Sequence, residues 1–91
     1  MKYNRYKILK MRNKRSVILL LSKDKYISYE RDKRILEYIN FNNNLCELDK
    51  RNINYVVLDN LNIIEDKKYD CNNYMKYLKL SYLKDILLKL E

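Results

Sequence analysis

Residues 17–21 read Val-Ile-Leu-Leu-Leu, and after Ser22-Lys23-Asp24 the chain continues Lys-Tyr-Ile-Ser-Tyr-Glu, alternating apolar and polar side chains. A continuous run of β-branched and leucine residues is the pattern of a buried strand, and strict alternation that of a half-exposed one. So short a polar connection makes the pair a hairpin, and in a chain without glycine Asp24 is its natural turn residue. On the second strand Lys25, Ile27 and Tyr29 share one face, and Tyr26, Ser28 and Glu30 the other. Ile27 and Tyr29 are expected to point inward, which leaves Tyr26 exposed and Lys25 at the edge of the turn.

Around this hairpin the spacing predicts further elements. Tyr3, Tyr6 and Leu9, with Ile8 and Met11, recur at helical intervals, so a basic N-terminal helix over residues 1–15 is expected, its cations on the other side. Ile35, Leu36 and Ile39 predict a second helix, with Asp32 near its start where a carboxylate suits the helix dipole. The asparagines of Phe41-Asn-Asn-Asn break it, and a short helix follows, ending near Asn52. Ile53-Asn-Tyr-Val-Val-Leu reads as the central strand, with Leu61-Asn-Ile-Ile-Glu beside it across a turn at Asp59-Asn60. A long helix capped by asparagine occupies residues 72–91. The expected fold is a single α/β (α+β) domain over residues 1–91: a small mixed sheet of about four strands packed against three or four helices.

Ninety-one residues allow one compact core and little room for a deep catalytic cleft. Hydrophobic residues form 47% of the chain and charged residues 35%, a balance that folds. No stretch nears the roughly 20 apolar residues of a membrane span, and no signal-type core follows the basic N-terminus, so a soluble, cytoplasmic protein without a membrane partner is expected. Cys46 and Cys71 stand apart in a chain without histidine, which argues against a zinc site or a disulfide framework and predicts semi-buried thiols. Without histidine there is no Ser-His or Cys-His relay, and without glycine no glycine-rich phosphate loop, so neither catalysis nor a cofactor, metal or small-molecule substrate is expected. Asp59, Glu65 and Lys67 resemble the acidic and Glu-any-Lys elements of metal-dependent nucleases, but read more simply as surface charges.

Charge is concentrated at one end. Lys2, Arg5, Lys7, Lys10, Arg12, Lys14 and Arg15 lie in the first fifteen residues with no acidic residue among them, and they account for seven of the net eight positive charges. Such a segment attracts phosphate backbones by counterion release, or an acidic protein surface by complementary potential.

The stretch Ile18–Leu36 resembles the start of the mismatch-recognition domain of the MutS family of DNA mismatch-repair proteins. There an apolar strand runs into a Gly-Asp-Phe-Tyr-Glu turn and strand and then an acidic helix start. Asp24, Tyr26, Tyr29 and Asp32 fall on that pattern, and Glu47–Asp59 is similar to a later helix and strand of the same domain. The resemblance covers about half of the chain and implies the fold of short stand-alone relatives of that domain. It does not imply mismatch reading, because the family's Phe-any-Glu wedge is Lys25 and Ile27 here, and its central loop is reduced to Asn40–Asn44.

Two functions are therefore expected to compete. One is a non-catalytic module gripping nucleic acid or a nucleoprotein through Lys2, Arg5, Lys7, Lys10, Arg12, Lys14, Arg15, Lys25 and Tyr26. The other is a phage or mobile-element inhibitor docking on a host defence complex, in the manner of an anti-CRISPR protein. The C-terminal helix bears on both, since its apolar residues spread round much of its circumference. Leu80, Leu83, Leu87 and Leu90 are expected to face the sheet, leaving Leu78, Tyr82 and Ile86 for a homodimer or a host protein partner, unless the N-terminal helix covers them through Tyr6 and Leu9.

Overall fold

The computed structural model describes residues Lys2–Leu90, with Met1 and Glu91 outside the described residues. In chain order they form α1 (Lys2–Arg12), β1 (Val17–Ser22), β2 (Lys25–Ile27), α2 (Glu30–Tyr38), α3 (Cys46–Asp49), β3 (Tyr55–Asp59), β4 (Asn62–Lys67) and α4 (Tyr74–Leu90). The fold is α+β, a four-stranded mixed sheet with four helices. Its strand order is β2-β1-β3-β4. β1 pairs antiparallel with β2 and parallel with β3, which in turn pairs antiparallel with β4 across a bulge at Val57/Leu58.

The unbroken apolar character of β1 and β3 follows from this order, because both are central strands covered on both faces. Val17, Leu19, Tyr55 and Val57 face α2, α3 and α4 in a core with Ile35, Leu36, Ile39, Leu48, Ile53, Tyr74 and Leu78. Ile18, Leu20, Val56 and Leu58 face the opposite way and are covered by Tyr6 of α1, with Leu9, Ile27 and Tyr29 at the margin.

Left-handed backbone is carried without glycine. Lys23 and Asp24 both have positive φ, 50° and 65°, as a two-residue hairpin turn of the primed type requires, and Asp24 sits where expected. Asn40, Asn43, Asn52 and Asn60 supply further left-handed positions, using the one common side chain that tolerates them besides aspartate.

Several expectations are corrected. α1 stops at Arg12, where Asn13 donates to the Leu9 carbonyl through both its backbone and its side-chain amide, so Lys14 and Arg15 lie in the turn that follows. Ile8 and Met11 are exposed, since α1 turns Tyr6, with Leu9 beside it, toward the sheet. Tyr26 is half-buried, its ring edge-on to Phe41 at 6.1 Å, because the α2 side of the hairpin is covered as well as the α1 side. Cys46 and Cys71 are exposed free thiols.

α4 is rotated from the predicted orientation. Tyr74, Leu78 and Ser81 face the core, while Leu83 and Leu87 face water and Leu80 is half-buried. The first turn sets this rotation. Asn72 accepts from the Tyr74 amide, Asn73 donates to the Arg51 carbonyl, and the Tyr74 hydroxyl is tethered deep in the core. Leu78, at 4% exposure, is therefore core and not interface, whereas Tyr82 and Ile86 are exposed. The side chain of Leu90 lies outside the described residues.

Candidate nucleic-acid interface

What holds the basic helix against the sheet is a buried carboxylate. Asp32, in the first turn of α2, is fully buried and accepts four hydrogen bonds. Oδ2 receives the Tyr6 hydroxyl (3.0 Å) and the Ile18 amide (3.0 Å), and Oδ1 receives Lys10 Nζ (2.7 Å) and the Tyr74 hydroxyl (2.6 Å). The local sequence explains the Ile18 bond. β2 ends at Ile27, so β1 loses its ladder partner at Ile18, and two side chains take over: Asp32 accepts from the Ile18 amide and Ser28 Oγ donates to its carbonyl at 2.7 Å.

Lys10 completes the cluster. Its ammonium donates to Asp32, to the Ser16 carbonyl (2.7 Å) and to the Tyr74 hydroxyl (2.9 Å), so all three protons are used. Burial lowers its pKa against the opposing pull of Asp32. Burial first, then the charge of Asp32, raises the pKa of Tyr6 and Tyr74 far above the ordinary tyrosine value. The cluster ties α1, β1, α2 and α4 to one atom group, and it removes Lys10 from the expected interface.

The other cations remain outside. Lys2 is exposed and donates to Ser22 Oγ at 2.8 Å, while Lys7 sits 3.8 Å from Glu30 and over the Tyr3 ring. Arg12, Lys14, Arg15 and Lys25 are exposed, and Arg5 is half-buried. Among the described residues Arg5, Arg12, Lys14, Arg15, Lys23 and Lys25 make no ion pair. Tyr26 does not join them, since its ring packs on Phe41 and its amide donates to Asn43.

The start of α1 and the carboxyl ends of β1 and β3 enclose a crevice of about 200 Å³ lined by Lys2, Arg5, Ser22, Lys23, Asp59 and Asn60. The space outside the carboxyl ends of adjacent parallel strands is where open α/β sheets commonly hold ligands. Three cations against one carboxylate give it a positive balance suited to phosphate. A second groove, of about 330 Å³, runs between α1 and the start of α2 with Lys14 and Arg31 on its rim and the Asp32 cluster at its floor. Lys23 and Arg31 were not expected at the interface. Their signal, a cation at a hairpin tip and one at a helix start, becomes meaningful only once the sheet brings them beside α1.

Asp59, Glu65 and Lys67 are spread along the β3–β4 pair: Asp59 is opposite Asn62, Glu65 opposite Val57 and Lys67 opposite Tyr55. Among the described residues no three acidic or cysteine side chains converge on a position that could hold a metal ion. No helix among them is long and apolar enough to cross a membrane. The chain matches no protein-family model, no curated protein and no solved structure.

Proposed function

We propose that the chain is a non-catalytic binding protein that grips the phosphate backbone of nucleic acid, free or within a nucleoprotein, along α1 and the loops at either end of it. The observation that carries this reading is the set of cations Arg5, Arg12, Lys14, Arg15 and Lys23 on α1, the turn after it and the hairpin tip, none of which makes an ion pair among the described residues. Cations left unpaired on one face are available to displace condensed counterions, which is the source of sequence-independent affinity. The strand, turn, strand and acidic helix start at residues 17–38 support kinship with the mismatch-recognition domain as part of the same proposal. Binding is proposed without mismatch reading, since Lys25 is a turn cation and Ile27 packs on the α1 side of the sheet. A cytoplasmic setting belongs to it too, where exposed Cys46 and Cys71 stay reduced.

The test is a mobility shift with single- and double-stranded oligonucleotides between about 50 and 200 mM salt. Retention that falls steeply with salt and varies little with sequence is expected. Reversing Arg12, Lys14 and Arg15 to glutamate should reduce the slope of log affinity against log salt by about three. An intact protein that retains no oligonucleotide at low salt would sink the reading. Incubation with nucleic acid and Mg²⁺ or Mn²⁺ should leave the substrate whole. Cleavage that vanishes in Glu65→Ala would promote Asp59, Glu65 and Lys67 to a site and end the non-catalytic proposal.

An inhibitor that docks on a host defence complex is the second reading, favoured by the apolar face that α4 turns to water. Partners captured by the tagged protein that survive nuclease treatment support it, and partners lost on nuclease treatment support the first.

A further inference from the structure

The last two and a half turns of α4 leave the core behind. Ser81 is the last buried residue among those of the helix whose side chains are described, and Asp85 holds the helix to α2 through an ion pair with Arg34. On either side of that tether apolar side chains face water: Leu83 is 53% exposed, Ile86 54%, Leu87 62% and Leu88 59%. Scattered exposed leucines need no explanation, but four large aliphatic residues within six positions form a contiguous patch of the kind that marks a contact surface. Part of the patch is concave. Tyr38, at the end of α2, forms one wall of a groove of about 570 Å³ whose other lining is Leu80, Leu83, Lys84, Leu87 and Leu88.

Leu80, Leu83 and Leu87 are three and four positions apart, so they lie in one row along the helix. A groove walled by such a row and an aromatic ring fits an amphipathic helix laid along it. Charge decides which helix. Lys76, Lys79 and Lys84 border the row without an ion pair among the described residues, Asp85, the one carboxylate among the described residues of α4, is paired with Arg34, and Glu37 of α2 adjoins the groove as a single further acid. Aromatic rings hold two of the rim cations in place, Lys84 over Tyr38 at 5.8 Å and Arg34 over Tyr82 at 4.3 Å. A second copy of the chain would set three lysines against three across the apolar seam, with one carboxylate, Glu37, from each copy to offset them. A partner with carboxylates beside its apolar stripe meets the same rim with complementary potential.

We propose that the groove between α2 and the C-terminal half of α4 is a docking site for an acidic amphipathic helix of another protein. The proposal is independent of the nucleic-acid reading, since it uses the opposite face of the sheet and none of the α1 cations.

The probe is a fluorescent designed helix of about five turns with leucine at i, i+3, i+4 and i+7 and glutamate elsewhere, titrated with the intact chain. Two controls accompany it: a scrambled peptide of equal charge without the stripe, and a version with lysine in place of glutamate. Saturable binding of the acidic striped peptide is expected, at least about tenfold tighter than either control. Leu83→Asp with Leu87→Asp should weaken it by a similar factor. The reversal of Arg12, Lys14 and Arg15 should change it less than about twofold, which excludes general attraction to a cationic protein. Lys79→Glu with Lys84→Glu should transfer preference to the lysine peptide. The exposed substitutions should leave the thermal midpoint unchanged, so that loss of binding is not loss of fold.

Equal binding of scrambled and striped peptides, or none at all, overturns the proposal. Sedimentation showing a dimer that Leu87→Asp dissociates overturns it in favour of a second copy. Co-sedimentation with anionic phosphatidylserine vesicles that Leu87→Asp abolishes overturns it in favour of a lipid surface.

Discussion

Asp32 is the residue on which the arrangement turns. A carboxylate in the first turn of a helix is ordinarily an exposed partner of the helix dipole, worth a fraction of a kcal/mol. Here it is the acceptor for two tyrosines, a lysine and a strand amide, all withdrawn from water. Asp32→Asn keeps the shape and removes the charge. It leaves Lys10 buried without its counterion and turns an amide donor toward groups that are themselves donors. A loss of about 3–5 kcal/mol is expected, read from the urea midpoint. Lys10→Met, which removes the charge needing compensation, should cost less than Asp32→Asn. The opposite order would show that packing of the lysine stem, and not charge pairing, dominates the cluster.

At the scale of elements, α4 contrasts two halves of one helix. Leu78 is packed between the sheet and α2, and Leu78→Ala should cost about 2–4 kcal/mol by transfer and cavity formation. Leu87 is nine positions on and solvated, and Leu87→Ala should change stability by less than about 0.5 kcal/mol. Equal losses at the two positions would mean that the distal half is packed in solution. The order and type of every element were legible in the sequence, because each carries its own period and its own breaker: the apolar run of β1, the alternation of β2, the asparagines that close α2. The rotation of α4 was not legible. Apolar residues nearly encircle it, so periodicity offers two faces of similar quality, and the choice falls to Asn72, Asn73 and Tyr74, whose partners lie far away in the chain. The exposure of Lys2, Lys7, Arg12, Lys14 and Arg15 was legible from their charge alone. The burial of Lys10, Tyr26 and Leu78 was not, because it is set by partners distant in the chain on one or the other covered face of the sheet.

Across the whole molecule, tyrosine hydroxyls fasten separate layers together. Tyr6 and Tyr74 meet at Asp32, while Tyr55 and Tyr69 both donate to Asp49. Burial, reinforced by these carboxylates, raises all four above the ordinary value of 10.0, Tyr69 to about 12. A raised folded pKa means that the unfolded chain releases its protons first. The stability is therefore intact below about pH 10 and lost as pH climbs beyond it, at about 1.4 kcal/mol per pH unit for each of the three buried tyrosines. Lys10 has the opposite sign, since its lowered pKa relieves a cost as pH rises, but it offsets one proton against several. Urea midpoints taken from about pH 8 to about pH 11 should fall together with the appearance of tyrosinate absorbance. A midpoint that is level across that range would contradict the shifts. The bond from Lys10 to Tyr74 spans 64 residues, which also gives it a place in time. At about 5–20 residues per second, a ribosome makes Tyr74 roughly three to thirteen seconds after Lys10. A nascent chain therefore has Ser16 and Asp32 to hold the Lys10 ammonium seconds before the last helix supplies the third partner and closes the cluster.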